Sequence, residues 1–227
     1  MACQAGGGAH TGAMKASIIR SPRKRKGHGA ERRQEILDAA LRLFSKLGIH
    51  AVSTREIAAA AGISQPALYA YFETRDEIAA VLCEQAFAEL RGRIKVAAGE
   101  GQPDWGTFDR VCRVYINFGL EQPDAYRVGF MIEKAGAGEA LDDAGHRSLM
   151  AGVEAFSCFR EQVSRFVEAG MLIDTEAERV TQTVWAALHG LVSLMIARPQ
   201  FPWVARDSLI EAHIALIQRG VRRDGSE

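Results

Sequence analysis

Within the segment Ser53–Arg75 the chain carries start and stop signals for two short helices, and this spacing constrains the fold more than any other feature. Ser53-Thr54-Arg55-Glu56 reads as a capping box, in which the serine hydroxyl accepts from the amide three residues on and the glutamate reaches back. The helix it opens is Ala-rich and runs to Ala60 or Ala61. Gly62 then permits a sharp turn. Ser64 caps the next helix, and Pro66 sits in the first turn, where its missing N–H costs nothing. Thr74-Arg75-Asp76-Glu77 reads as a second capping box and opens a fourth, longer helix. Ile57, Ile63 and Leu68 supply a small shared core. Two short helices held by a tight turn are what a helix-turn-helix requires, with the second helix free to enter a groove about 12 Å wide.

The rest of the sequence extends this pattern. Ile36, Leu37, Ala40, Leu41, Phe44 and Leu47 recur at helical spacing ahead of Gly48, giving a first helix from near Glu31. Downstream, Trp105, Phe108, Cys112, Tyr115 and Ile116 form one stripe, and Pro123 begins a short helix bearing Tyr126 and Phe130. Residues 136–145 read as a loop. Leu149, Val153, Phe156, Val163, Phe166 and Val167 form a long stripe ending at Gly170. Thr175-x-x-Glu178 is expected to cap a helix that Pro199 ends, and Asp207 to cap the last one. No alternating pattern of useful length occurs, so the expected fold class is all-α. The expected divisions are a disordered basic arm over 1–29, a helix-turn-helix domain over 30–78, a helical domain over 79–222, and a tail over 223–227.

Charge separates these parts. The formal net charge is zero, but residues 1–30 hold six basic side chains and no acids, while residues 76–227 hold 16 basic and 23 acidic ones. A basic front on an acidic body points to a polyanionic partner at the N-terminal end. The run Arg23-Lys24-Arg25-Lys26 reads either as a solvated tail or as an arm reaching along the minor groove. Val180–Ala197 lacks charged residues but includes three polar side chains in its first four positions and His189, which favours a buried helix over a membrane span. The first 20 residues have no apolar signal region, and the four cysteines form no C-x-x-C pair. The expectation is a reduced cytoplasmic protein acting at the nucleoid, with no membrane association, metal or cofactor.

The Thr-Arg-Glu-Ile-Ala run at 54–58, Ala61-Gly62-Ile63-Ser64, Leu68-Tyr69, Tyr71-Phe72 and Thr74-Arg75-Asp76-Glu77 together resemble the TetR family of bacterial transcriptional regulators, over about residues 31–80. Trp185-x-x-x-His189-Gly190 is similar to a C-terminal signature of one subgroup. The resemblance implies that Thr54 and Tyr69 bond phosphate oxygens. Ser64, Gln65, Pro66 and Ala67 would head the recognition helix, with Gln65 at a base edge and Pro66 and Ala67 against thymine methyls. Arg55 would reach a guanine or a phosphate, and Arg75 the DNA backbone. Tyr71 stands where the family most often has His, and its hydroxyl also reaches a phosphate.

The family's second domain dimerises and holds a small inducer. Helix 176–197 is apolar over much of its circumference, so it reads either as the core helix of one protomer or, with the 207–221 helix, as half of a four-helix interface. The interface candidates are Val184, Leu188, Leu191, Met195, Ile210, Ile214 and Ile217. The ligand candidates are Phe118, Tyr126, Phe130, Phe156, Trp185 and His189, although His189 reads equally well as a core or interface histidine. No H-E-x-x-H, G-x-S-x-G, phosphate-binding Gly loop or paired Glu-x-x-His occurs, so no catalytic residue is assigned and an enzyme is not expected. The expected function is a repressor released from a palindromic double-stranded DNA operator, as a homodimer, by a mostly apolar small molecule. The alternative is a DNA-binding regulator or architectural factor with no such inducer.

Overall fold

The computed structural model describes residues 29–132, 141–173 and 176–223. Regular structure among the described residues is helical throughout, apart from an isolated antiparallel bridge between Leu172 and Arg222. Three helices open the chain: α1 Gly29–Leu47, α2 Thr54–Ala60 and α3 Gln65–Tyr69. They are followed by α4 Arg75–Ala98, α5 Trp105–Glu121 and α6 Pro123–Tyr126, which leads directly into a π turn, Arg127–Met131. The long helices α7 Asp143–Glu168, α8 Ala177–Ala197 and α9 Arg206–Val221 complete the fold.

The expected start signals form in part. Ser53 caps α2 as a complete capping box, and Ser64 caps α3 through the Ala67 amide. Thr74 caps α4, but the returning carboxylate of Glu77 accepts from the Glu73 amide at 2.7 Å, one residue earlier than a capping box requires. Two expected caps are corrected. α8 starts after Glu176 and α9 after Ala205, neither with a side-chain cap, and Asp207 lies within the first turn of α9. Thr175, the arm Arg23–Lys26 and residues 136–140 lie outside the described residues, while residues 143–145, expected in a loop, form the first turn of α7. Asp104 and Asp142 cap α5 and α7, which the apolar stripes did not reveal.

Two apolar cores share α4. Ile36, Phe44, Ile57, Leu68 and Phe72 form the first with Ile78, Cys83 and Phe87. Leu90 and Ile94, further along the same helix, join Tyr115, Phe118, Phe159, Val184, Leu188 and Ile214 in the second. α4 thus contributes to both cores, and the first also takes in Val128 of the π turn and Ala151 and Ala155 of α7. Helices α5 and α8 approach closely at Gly119, where a Cβ would lie 2.4 Å from the Val192 side chain.

Burial revises the interface assignment. Val184, Leu188, Leu191, Ile210, Ile214 and Ile217 all belong to the protomer's own core, and of these Leu191 and Ile217 keep the most exposure, 8% each. Met195 is only partly buried. A helix as apolar as α8 gives no local signal of which face turns inward. Its outward apolar face carries Ala186, Leu194 and Ala197, and that of α9 carries Ala212 and Leu216. α8 is also long and apolar enough to cross a membrane by composition, but Val180, Val184, Leu188 and Val192 pack it into the second core.

Candidate nucleic-acid interface and cavity

The exposed end of the molecule is built by α2 and α3. Leu68 is fully buried against Ile57 and Ala58, and the positive φ of Gly62 (67°) turns the chain between the helices. This leaves Ser64, Pro66, Ala67 and Tyr69 exposed and Gln65 half-buried along one edge. Arg55 projects from the first turn of α2, exposed and outside any ion pair among the described residues. Tyr71 is half-buried and packs against the first core.

Three of these residues bond one another. Gln65 Nε2 donates to Thr54 Oγ1 and to the Tyr69 hydroxyl, each at 3.1 Å, and Thr54 Oγ1 lies 3.2 Å from the Tyr69 hydroxyl. Hydrogen bonds from Thr54 first, then Gln65, hold the Tyr69 phenol below its usual range. Glu56 is likewise lowered by its bonds from Ser53. Arg75 departs from the expected role as a backbone contact. Its guanidinium donates to the His50 carbonyl at 3.0 Å and pairs with Asp76 at 3.3 Å, so it fastens the α1–α2 connection to the start of α4.

A second feature lies beyond α4. A cavity of about 770 Å³ opens between α4, the π turn, α7 and α8. Phe87, Tyr115, Phe130, Phe156, Phe159 and Trp185 wall it. Of the six ligand candidates, Phe130, Phe156 and Trp185 line this cavity, while Phe118, Tyr126 and His189 do not. Phe118 and Tyr126 are fully buried in the second core. The reason is the phase of α5: Tyr115 faces the cavity and Phe118 turns away, under the Arg93 guanidinium.

Tyr126 and His189 instead belong to a polar chain behind the wall. Trp185 Nε1 donates to the Tyr115 hydroxyl at 3.0 Å, which lies 3.0 Å from the Tyr126 hydroxyl. That hydroxyl lies 2.7 Å from His189 Nδ1, and His189 Nε2 lies 3.1 Å from Ser193 Oγ. Burial raises both phenols and lowers His189. The chain satisfies polar groups that burial would otherwise strand.

Several lining residues escaped the sequence reading. Leu149 and Val153 were expected in the core of α7, but they are exposed and stand at the cavity, because the buried stripe of α7 runs through Ala151, Ala155, Cys158 and Phe159. Gly129 and Gly152 also line it. A Cβ at either would come within 3.6 Å of the Phe87 ring, so both glycines leave room beside that ring. A glycine inside a helix costs about 1 kcal/mol relative to alanine, and Gly152 in the middle of α7 was the available signal. Glu178 and Gln182 stand among the lining residues, which include no lysine, arginine or histidine, and Arg160 lies 3.8 Å from Glu178 outside the lining.

Two segments of the sequence match known families. Residues 36–82 match the family of bacterial regulatory proteins, tetR family, and residues 108–217 match the tetracyclin repressor-like C-terminal domain. The chain belongs to the TetR family. It is a DNA-binding transcriptional regulator of that family, with its helix-turn-helix in α2 and α3. It is similar to the transcriptional regulator AcrR of Shigella flexneri, 46% identical over 56 residues, which are 25% of this chain and 26% of that protein. It is also similar to the regulator RutR of Escherichia coli (strain K12), 23% identical over 174 residues, 77% of this chain and 80% of RutR. The AcrR match thus spans about a quarter of the relative's length. The fold is similar to that of the protein in a SmeT–triclosan complex, with a TM-score of 0.67, 18% identity, and coverage of 86% of this chain and 93% of the other.

Proposed function

We propose that this TetR-family regulator is a repressor that leaves its operator when a mostly apolar small molecule fills the cavity between α4, the π turn, α7 and α8. The observation that carries this reading is the position of the π turn. Its residues Gly129 and Phe130 line the cavity, and its first residue, Arg127, bonds Ser45 of α1 in the DNA-binding part. A ligand that displaces Phe130 therefore acts on a segment already attached to the helix-turn-helix. π turns inside helical segments are frequent at functional sites.

Operator binding rests on Arg55, Ser64, Gln65, Pro66, Ala67 and Tyr69 along the exposed edge, with Thr54 and Tyr71 behind them. The arm Arg23–Lys26 adds sequence-independent affinity for phosphates. Two protomers joined through the outward faces of α8 and α9, at Ala186, Leu194, Ala212 and Leu216, present two such edges to a palindromic site. Phe130, Phe156 and Trp185 remain the assigned ligand contacts. The sole carboxylate among the lining residues is Glu178, which has Arg160 at 3.8 Å. That lining suits a neutral aromatic or aliphatic molecule, or one with a cationic group, and disfavours a carboxylate. The neighbour that holds triclosan fits this class.

The deciding experiment begins with selection of bound sequences from random DNA. A thermal-shift screen with neutral, cationic and anionic amphiphiles follows, and then titration of operator occupancy with each hit. The expected result is an inverted repeat whose occupancy falls with a neutral or cationic hit. A ligand that binds equally well with and without operator has no coupling to DNA, because linkage requires both affinities to change by the same factor. That outcome would reject induction and leave a constitutive DNA-binding factor.

A further inference from the structure

From the bonds among Gln65, Thr54 and Tyr69 we infer that Gln65 reads DNA through its carbonyl oxygen alone, and so selects adenine or cytosine at its base position. The inference rests on the proposed placement of Gln65 at a base edge and adds which atom does the reading.

The available hydrogens fix how the Gln65 amide is turned. Three contacts close the triangle: Gln65 to Thr54 at 3.1 Å, Gln65 to Tyr69 at 3.1 Å, and Thr54 to Tyr69 at 3.2 Å. Each contact needs one hydrogen. With the amide nitrogen facing inward, its two hydrogens fill two contacts and one hydroxyl hydrogen fills the third. With the amide reversed, both hydroxyl hydrogens would be spent on Oε1, and the Thr54–Tyr69 contact would set two oxygens against each other with no hydrogen between them. The closed triangle therefore fixes the amide orientation.

Two consequences follow from that orientation. One hydroxyl hydrogen stays unspent, and with Thr54 donating to Tyr69 it is the tyrosine's, available to a phosphate. The outward face of Gln65 is Oε1, an acceptor. In the major groove adenine N6 and cytosine N4 donate, whereas guanine and thymine present acceptors at the corresponding edge. The two-bond grip of glutamine on adenine needs an amide hydrogen for N7, and here both are committed. Discrimination at this position is thus adenine or cytosine against guanine or thymine, with weak preference between the two.

The test uses the full chain and its selected operator. The position read by Gln65 is the one whose preference relaxes in Gln65→Ala. Adenine or cytosine is expected there. Replacing that base with its analogue lacking the exocyclic amine should weaken binding by roughly threefold to tenfold, the range of one net hydrogen bond. If the base is adenine, 7-deazaadenine should bind within about twofold of it. Thr54→Val combined with Tyr69→Phe removes both inward acceptors and frees the amide, so sensitivity to 7-deazaadenine should appear in a variant with unchanged helical circular dichroism. No loss when the exocyclic amine is removed from either base of that pair, or equal losses from 7-deazaadenine and the amine-free base in the unaltered protein, would overturn the inference. A clear motif in which no position responds to Gln65→Ala would overturn it too. Absence of any selected motif would remove the base-edge placement itself, a different failure that takes the inference with it.

Discussion

Arg127 and Ser45, 82 positions apart in sequence, are bonded: Arg127 Nη1 donates to Ser45 Oγ at 3.4 Å. The same guanidinium reaches Asp124 at 3.3 Å and the Ile196 carbonyl at 3.0 Å, while Ser45 donates to Asp124 at 2.5 Å. One side chain thus ties α1 of the helix-turn-helix part, the start of the π turn at the cavity, and the end of α8.

Arg127→Ala cuts these ties without touching the cavity wall or the DNA edge. Ligand affinity in the absence of DNA, and operator affinity in the absence of ligand, are each expected within about threefold of the original. The factor by which ligand weakens operator binding should fall by about tenfold, equivalent to roughly 1.4 kcal/mol of coupling. Titrations of ligand with and without operator measure both quantities, and an unchanged coupling factor would count against the tie.

Gly152→Ala separates stability from ligand binding. The added methyl would sit 3.5 Å from the Phe87 ring, an ordinary contact, and alanine removes the helical cost of glycine. Stability should rise by up to about 1 kcal/mol. Affinity for a cavity ligand should fall, because the methyl occupies lining space. A thermal melt and a ligand titration of the same variant check the opposed signs.

His189 sets a pH dependence. Burial lowers its folded pKa below the ordinary value of 6.5, so between the two values the unfolded chain binds more protons than the folded one. Stability should therefore be present above about pH 6.5 and be lost as pH falls toward the folded pKa. His189→Gln should remove that part of the decline. Chemical denaturation of both proteins between pH 5 and 8 is the measurement, and parallel curves would show that His189 contributes nothing to it.

Arg75→Ala distinguishes a fastener from a phosphate contact. With its guanidinium on the His50 carbonyl and on Asp76, loss of the side chain should lower stability by about 1–3 kcal/mol. The salt dependence of operator binding should keep its slope. A slope lower by about 0.9 per subunit, with stability unchanged, would restore the phosphate role.

The caps at Ser53 and Ser64, the turn at Gly62 and the helical class were all legible because each depends on residues a few positions apart. A serine hydroxyl meets the amide three residues on wherever the rest of the chain goes. Gln65, Thr54 and Tyr69 were nameable as DNA contacts through the resemblance to the TetR family. Their mutual bonds were not nameable, since these require the angle at which α3 crosses α2.

Tertiary packing alone decided the rest. α8 is apolar nearly all round, so its own pattern did not say that Val184 and Leu188 turn inward while Leu194 faces out. The face is chosen by what α5, α7 and α9 offer it. Phe118 and Tyr115 lie three apart on α5, yet only the tyrosine reaches the cavity, because helices cross there at Gly119 and leave no space on the other side. Short-range hydrogen bonds and turn geometry are written in consecutive residues. Which apolar side chain fills a core and which borders an empty volume depends on surfaces brought together from distant parts of the chain.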